Sequence, residues 1–157
     1  MRVCILGLGN RHRGDDALGL LVAERLRDQE LPAGVCAETA PEDPVRLLDT
    51  LARFQAVVFV DAADMGGAPG EVRVLRNPAE WESVWLPAST HGFGLQQVVA
   101  LARRLGRCPP VRLVAVQAGS WEPLGPLSPQ VATRLGDITR IALEEACDAL
   151  EDTHHRR

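Results

Sequence analysis

Three polar residues could do chemistry: Asp16, Asp61 and His91. Asp16 is the second of a pair, Asp15-Asp16, that follows the turn Gly7-Leu8-Gly9-Asn10; Asp61 directly follows the apolar run Val57-Val58-Phe59-Val60; His91 stands in Ser89-Thr90-His91-Gly92. A carboxylate where a central strand breaks off occupies the end of an open α/β sheet at which ligands bind. Two carboxylates and one imidazole make an incomplete ligand set for a borderline divalent ion, and either carboxylate could accept a proton. Each residue also has a plainer role: Asp15 as a helix cap with Asp16 at the positive helix end, worth about 0.5–1 kcal/mol each, Asp61 as a loop cap, and His91 as a structural histidine. Adjacent helical positions point about 100° apart, so Asp15 can cap while Asp16 turns toward the crevice. Spacing alone does not show that the three converge.

The first turn invites comparison with a dinucleotide-binding loop, and the comparison fails. The third glycine of G-x-G-x-x-G would fall on His12, and Asp15-Asp16 puts two negative charges where a pyrophosphate would sit. All 17 basic residues are arginine, and the chain has no lysine and no tyrosine. That removes Schiff-base catalysis, Walker-type phosphate loops and kinase chemistry, because arginine does not deprotonate in a protein. A serine nucleophile lacks its G-x-S-x-G elbow, and Ser120 has no evident basic partner. Cys4, Cys36, Cys108 and Cys147 form no C-x-x-C pair; Cys4 and Cys36, in strand-like runs, read as small buried hydrophobes.

These candidates need a scaffold, and short apolar runs alternating with helical-period segments supply one. The pattern predicts a three-layer α/β/α sandwich: a mostly parallel, twisted sheet of about five strands with an antiparallel edge strand. Strands are expected at Arg2–Leu8, Gly34–Thr39, Ala56–Val60, Glu71–Arg76 (the edge strand) and Val111–Gln117. Helices are expected at Asp16–Asp28, after Asp43-Pro44, from about Gly94 to Leu105, and from Ser128-Pro129 to about Leu150. Residues 1–151 are read as one α/β domain and 152–157 as a disordered tail, where His154 and His155 could bind metal adventitiously. A formal net charge of −4 with scattered arginines gives no nucleic-acid footprint, no run is long enough to span a membrane, and a cytoplasmic monomer is expected.

Several motifs, in order along the chain, resemble those of the maturation endopeptidases of [NiFe] hydrogenases: Gly7-Leu8-Gly9-Asn10 with Gly14-Asp15-Asp16; Asp61-Ala62-Ala63-Asp64-Met65-Gly66 followed by Pro69-Gly70-Glu71; Ser89-Thr90-His91; and Trp121-Glu122-Pro123 with Leu127-Ser128-Pro129. Thr39-Ala40-Pro41-Glu42 and the Asp-x-x-Asp-Met-Gly segment look most like the branch serving the hydrogenase of the formate hydrogenlyase complex. The resemblance implies a peptidase that removes the C-terminal extension of the hydrogenase large-subunit precursor after nickel insertion. It places the metal-contacting and catalytic trio on Asp16, Asp61 and His91, with nickel supplied by the precursor. It leaves open whether cleavage is nickel-assisted or aspartic-type. The chain departs from the family at Glu38-Thr39, where many members carry a glycine pair in a region associated with substrate choice. A nickel-sensing chaperone that does not cut, and a small cofactor-binding α/β enzyme, are the alternatives. Trp81 and Trp85, spaced i and i+4, are either core packing or a docking surface for the precursor.

Overall fold

The computed structural model describes residues 2–87 and 94–156. Its strands are β1 (Val3–Gly7), β2 (Val35–Thr39), β3 (Ala56–Ala63), β4 (Val72–Leu75) and β5 (Val111–Gln117), and its α-helices are α1 (Leu18–Arg27), α2 (Pro44–Leu51), α3 (Leu95–Arg104) and α4 (Pro129–His155). The sheet order is β2-β1-β3-β5-β4, parallel throughout except for β4, which runs antiparallel to β5 at one edge. This is the expected architecture. The chain steps outward from β1 to β2 and then crosses back to β3 on the other side of β1, so the topological switch point lies between β1 and β3.

The central strands are buried on both faces, which explains their continuous apolar runs. One face carries Ile5, Val58, Val60 and Val114 against Leu18, Val22 and Leu26 of α1 and Val131, Ile138 and Ala142 of α4. The other carries Phe59 and Leu113 against Leu47 and Leu51 of α2 and Val98 and Val99 of α3. Helix α1 lies unusually close to the sheet: a Cβ on Gly19 would come within 2.2 Å of the Leu8 carbonyl oxygen and 2.3 Å of that of Val60. Only glycine permits that approach.

Three expectations are corrected. The first helix does not begin at Asp16; Gly14–Ala17 forms a 3-10 turn, and α1 follows it. Strand β3 does not stop at Val60 but continues through Ala63, because Asp61, Ala62 and Ala63 extend the ladder with Ala115, Val116 and Gln117 of β5. The supposed disordered tail is helical through His155. Asp152 pairs with Arg112 of β5 at 2.6 Å, and the Thr153 hydroxyl donates to the Leu150 carbonyl at 2.7 Å. Arg112 also joins Arg76 on the buried Glu145, each at 2.7 Å, so this end of α4 is tied to both β4's following residue and β5. Burial pushes the Glu145 carboxyl up, but the two arginines outweigh it and hold it below its ordinary value.

Candidate functional site

At the carboxyl ends of β1, β2 and β3 a cleft of about 250 Å³ opens over the switch point. Asp16 reaches it from the 3-10 turn after β1, and Asp61 from within β3. Its walls are Leu8, Gly9 and Asn10 on one side, Pro41, Pro44 and Leu47 on another, and Leu95 and Val98 at the start of α3. Apolar walls around two acids are the usual make-up of a small-molecule or peptide site.

Local geometry fixes Asp16. Gly9 has φ +136°, and a Cβ there would lie 1.7 Å from the Asp16 carbonyl oxygen, so the turn closes on the Asp16 backbone only with glycine. The Asn10 N–H donates to that same carbonyl at 3.1 Å. Asp15 is not the helix cap that the sequence suggests. Its carboxylate is fully buried and accepts from the Gly119, Ser120 and Ser128 N–H groups at 2.7, 2.9 and 2.7 Å, and from the Ser128 hydroxyl at 2.7 Å. Its own N–H donates to the Ser120 carbonyl at 2.9 Å. Asp15 therefore welds the turn to the loop between β5 and α4, and its neighbour Asp16 is left facing the cleft.

Asp16 and Asp61 are both almost wholly buried, 4% and 2% exposed, and Oδ1 of each has no hydrogen-bond partner among the described residues. A buried carboxylate oxygen without a partner is costly unless the group is protonated or meets a ligand. Burial pushes Asp16 up to about 6, while Arg13 and a hydrogen bond from the Asn10 backbone pull against it. Burial raises Asp61 well above the ordinary carboxylate range, and the charge of Asp16 raises it further, against one backbone hydrogen bond from Ala62. Burial and the neighbouring Asp16 charge thus favour the protonated form of Asp61, while Asp16, at about 6, is mostly ionised at neutral pH. Two acids whose environments separate their protonation are suited to donor and acceptor roles.

His91 lies outside the described residues, as do Ser89 and Thr90; the flanking Pro87 and Gly94 both line the cleft. The structure thus brings Asp16 and Asp61 to one cavity. It separates the two tryptophans: Trp81 is 1% exposed and packs edge-on against Phe59, whereas Trp85 is 55% exposed and packs edge-on against Trp121. Sequence reasoning missed Arg13, an exposed cation at the cleft, and Gln117. The Gln117 carboxamide accepts from the Met65 and Gly67 N–H groups at 2.7 and 3.2 Å and donates to Asp64 at 3.3 Å, shaping the loop after β3. A lone polar residue ending the run Val111–Val116 was the available signal for Gln117.

Residues 22–145 match the family model described as hydrogenase maturation protease (HycI). The chain belongs to the hydrogenase maturation protease family. Among relatives of this protease family, the hydrogenase expression/formation protein HupD of Rhodobacter capsulatus is 32% identical over 150 residues, spanning 92% of this chain and 70% of that protein. The hydrogenase 2 maturation protease of Escherichia coli is 30% identical over 156 residues, spanning 98% and 93%. The solved structure of the E. coli hydrogenase maturating endopeptidase HybD superposes with a TM-score of 0.78 at 30% identity, covering 98% of this chain and 94% of that one. The maturation protease HycI of Thermococcus kodakarensis gives 0.71 at 31% identity, covering 91% and 90%. No helix among the described residues of this maturation-protease chain is long and apolar enough to cross a membrane.

Proposed function

We propose that this protein is an endopeptidase that removes the C-terminal extension of a [NiFe] hydrogenase large-subunit precursor once nickel has been inserted, with Asp16, Asp61 and His91 as its working residues. The observation that carries this reading is the pair of buried carboxylate oxygens, without a partner among the described residues, in one cleft at the switch point. An extended peptide laid between the Pro41–Leu47 wall and the start of α3 would meet both acids. Ionised Asp16 takes the proton of an attacking water, and Asp61, whose acid form its burial favours, supplies one to the scissile carbonyl or the leaving amine, an aspartic-type division of labour.

Nickel enters as cargo of the precursor. Two carboxylate oxygens without partners among the described residues, with His91 as the imidazole, form an open set able to add ligands to a metal already held by the substrate, so that only loaded precursor docks productively. A second, nickel-assisted reading has the ion polarise the scissile carbonyl through these same contacts, and the partnerless oxygens favour it equally. The reaction belongs in the cytoplasm, in keeping with four free cysteines, and needs a single copy of the chain.

As to which hydrogenase is served, Thr39–Glu42 and the Asp61–Gly66 segment favour the formate hydrogenlyase branch. Against it, the hydrogenase 3 maturation protease of E. coli aligns over 60% of this chain, compared with 98% for the hydrogenase 2 enzyme. The test is to incubate the protein with nickel-loaded and nickel-free precursors of both types and weigh the products. A peptidase shortens a loaded precursor and spares the empty one. Co-purification without any loss of mass would instead indicate a chaperone.

A further inference from the structure

Away from the cleft, at the β2 edge of the sheet, β1 and β2 run in parallel register with Cys4 opposite Cys36 and Leu6 opposite Glu38. Residues two apart on a strand share a face, so Cys36 and Glu38 point to the same side of β2, and Cys4 points to that side from β1. The three side chains converge: both sulfur atoms and one Glu38 carboxylate oxygen lie within 4.8 Å of one another. Around a tetrahedral zinc ion with sulfur at about 2.3 Å, neighbouring ligand atoms are about 3.8 Å apart, so small side-chain rotations complete the contact.

Among the described residues, none of the three groups is firmly engaged elsewhere. Cys4 Sγ meets the Ile5 carbonyl at 3.6 Å and Cys36 Sγ meets the Val3 carbonyl at 3.7 Å, both weak contacts, and neither is in a disulfide. Glu38 has one long contact, 3.4 Å, to Arg53. Cys4 is fully buried, whereas Cys36 and Glu38 are half-buried on the edge strand, so an ion can arrive from solvent while the sulfurs stay sheltered.

We propose that Cys4, Cys36 and Glu38 form a binding site for a thiophilic divalent cation of the zinc class, held by two thiolates and one carboxylate with a fourth position open to solvent. Binding displaces two thiol protons. Both thiols must be deprotonated to ligate, so binding is favoured as pH rises. Two thiolates distinguish this site from the carboxylates and imidazole proposed for the cleft and give it a preference for softer ions.

The test uses the full chain kept reduced and titrated with cadmium, reading the thiolate-to-cadmium charge-transfer band, with zinc affinity measured by chelator competition. One ion per chain, two protons released, and a band unchanged by Cys108→Ser or Cys147→Ser are expected. Cys36→Ser should remove at least half of the band. Glu38→Gln should keep the band but weaken zinc binding by at least about tenfold. Because Glu38 is half-buried at an edge, its variant tests the site even if Cys36→Ser fails to fold. Absence of the band, its persistence in Cys36→Ser, or unchanged zinc affinity in Glu38→Gln would overturn the proposal.

Discussion

Replacing Asp16 by asparagine should make the protein more stable, and only above a defined pH. Burial holds the Asp16 carboxyl at about 6 rather than the ordinary 3.8. A carboxyl raised in the folded state binds its proton more tightly there than in the unfolded chain, so ionising it costs stability. The cost is absent below the unfolded value, grows as pH rises from 3.8 to about 6, and is complete above that. At 1.36 kcal/mol per pH unit, the difference between 3.8 and about 6 amounts to about 3 kcal/mol, a cost that asparagine does not carry because it has no charge. Near pH 3.5, Asp16→Asn and wild type should therefore unfold at about the same urea concentration, and near pH 8 the variant should be more stable by about 2 to 3 kcal/mol at a common slope. A variant that is no more stable than wild type at pH 8, or equally stabilised at both pH values, would refute the inference that Asp16 carries an uncompensated buried charge.

Other consequences follow from the same geometry. Asp15→Ala removes the buried carboxylate that three N–H donors of the loop between β5 and α4 share, and chemical denaturation should show a loss of about 3 kcal/mol. Both cleavage routes need ionised Asp16, so the processing rate should fall roughly tenfold between pH 7 and pH 5 as Asp16 takes up its proton; a flat profile across that range, with the protein still folded, would remove Asp16 from the chemistry. Trp85→Ala deletes an exposed ring beside Trp121 and should raise KM for the precursor with stability changed by less than about 0.5 kcal/mol; Trp81→Ala, in the core, should cost about 3 to 5 kcal/mol.

Strand and helix order were legible because apolar runs of the central strands and the 3.6-residue periodicity of the helices are properties of the chain itself. Asp16 and Asp61 were legible for a related reason: each interrupts an apolar context at a strand end or helix start. The same rule misplaced the end of β3, since a ladder with β5 is a backbone matter and carries on past a carboxylate that can keep its proton. Asp15 reads as a cap from local sequence, but its partners lie more than a hundred residues away, at Gly119, Ser120 and Ser128. Trp81 and Trp85 are one helical turn apart in sequence, yet the 3-10 helix ends at Ser83 and Trp85 pairs with Asp64, so the two rings part company. Helix α4 outruns its apolar pattern because Asp152 is held by a strand residue, Arg112, which no helical period announces.

The most direct test of the cleft as a peptidase site is the intact mass of a nickel-loaded hydrogenase large-subunit precursor after incubation with wild type, Asp16→Asn or Asp61→Asn, each first shown to be folded. The wild type should shorten the precursor at its C-terminus, and both variants should leave its mass unchanged. Shortening by either variant at the wild-type rate, or no shortening by the wild type, would contradict the assignment.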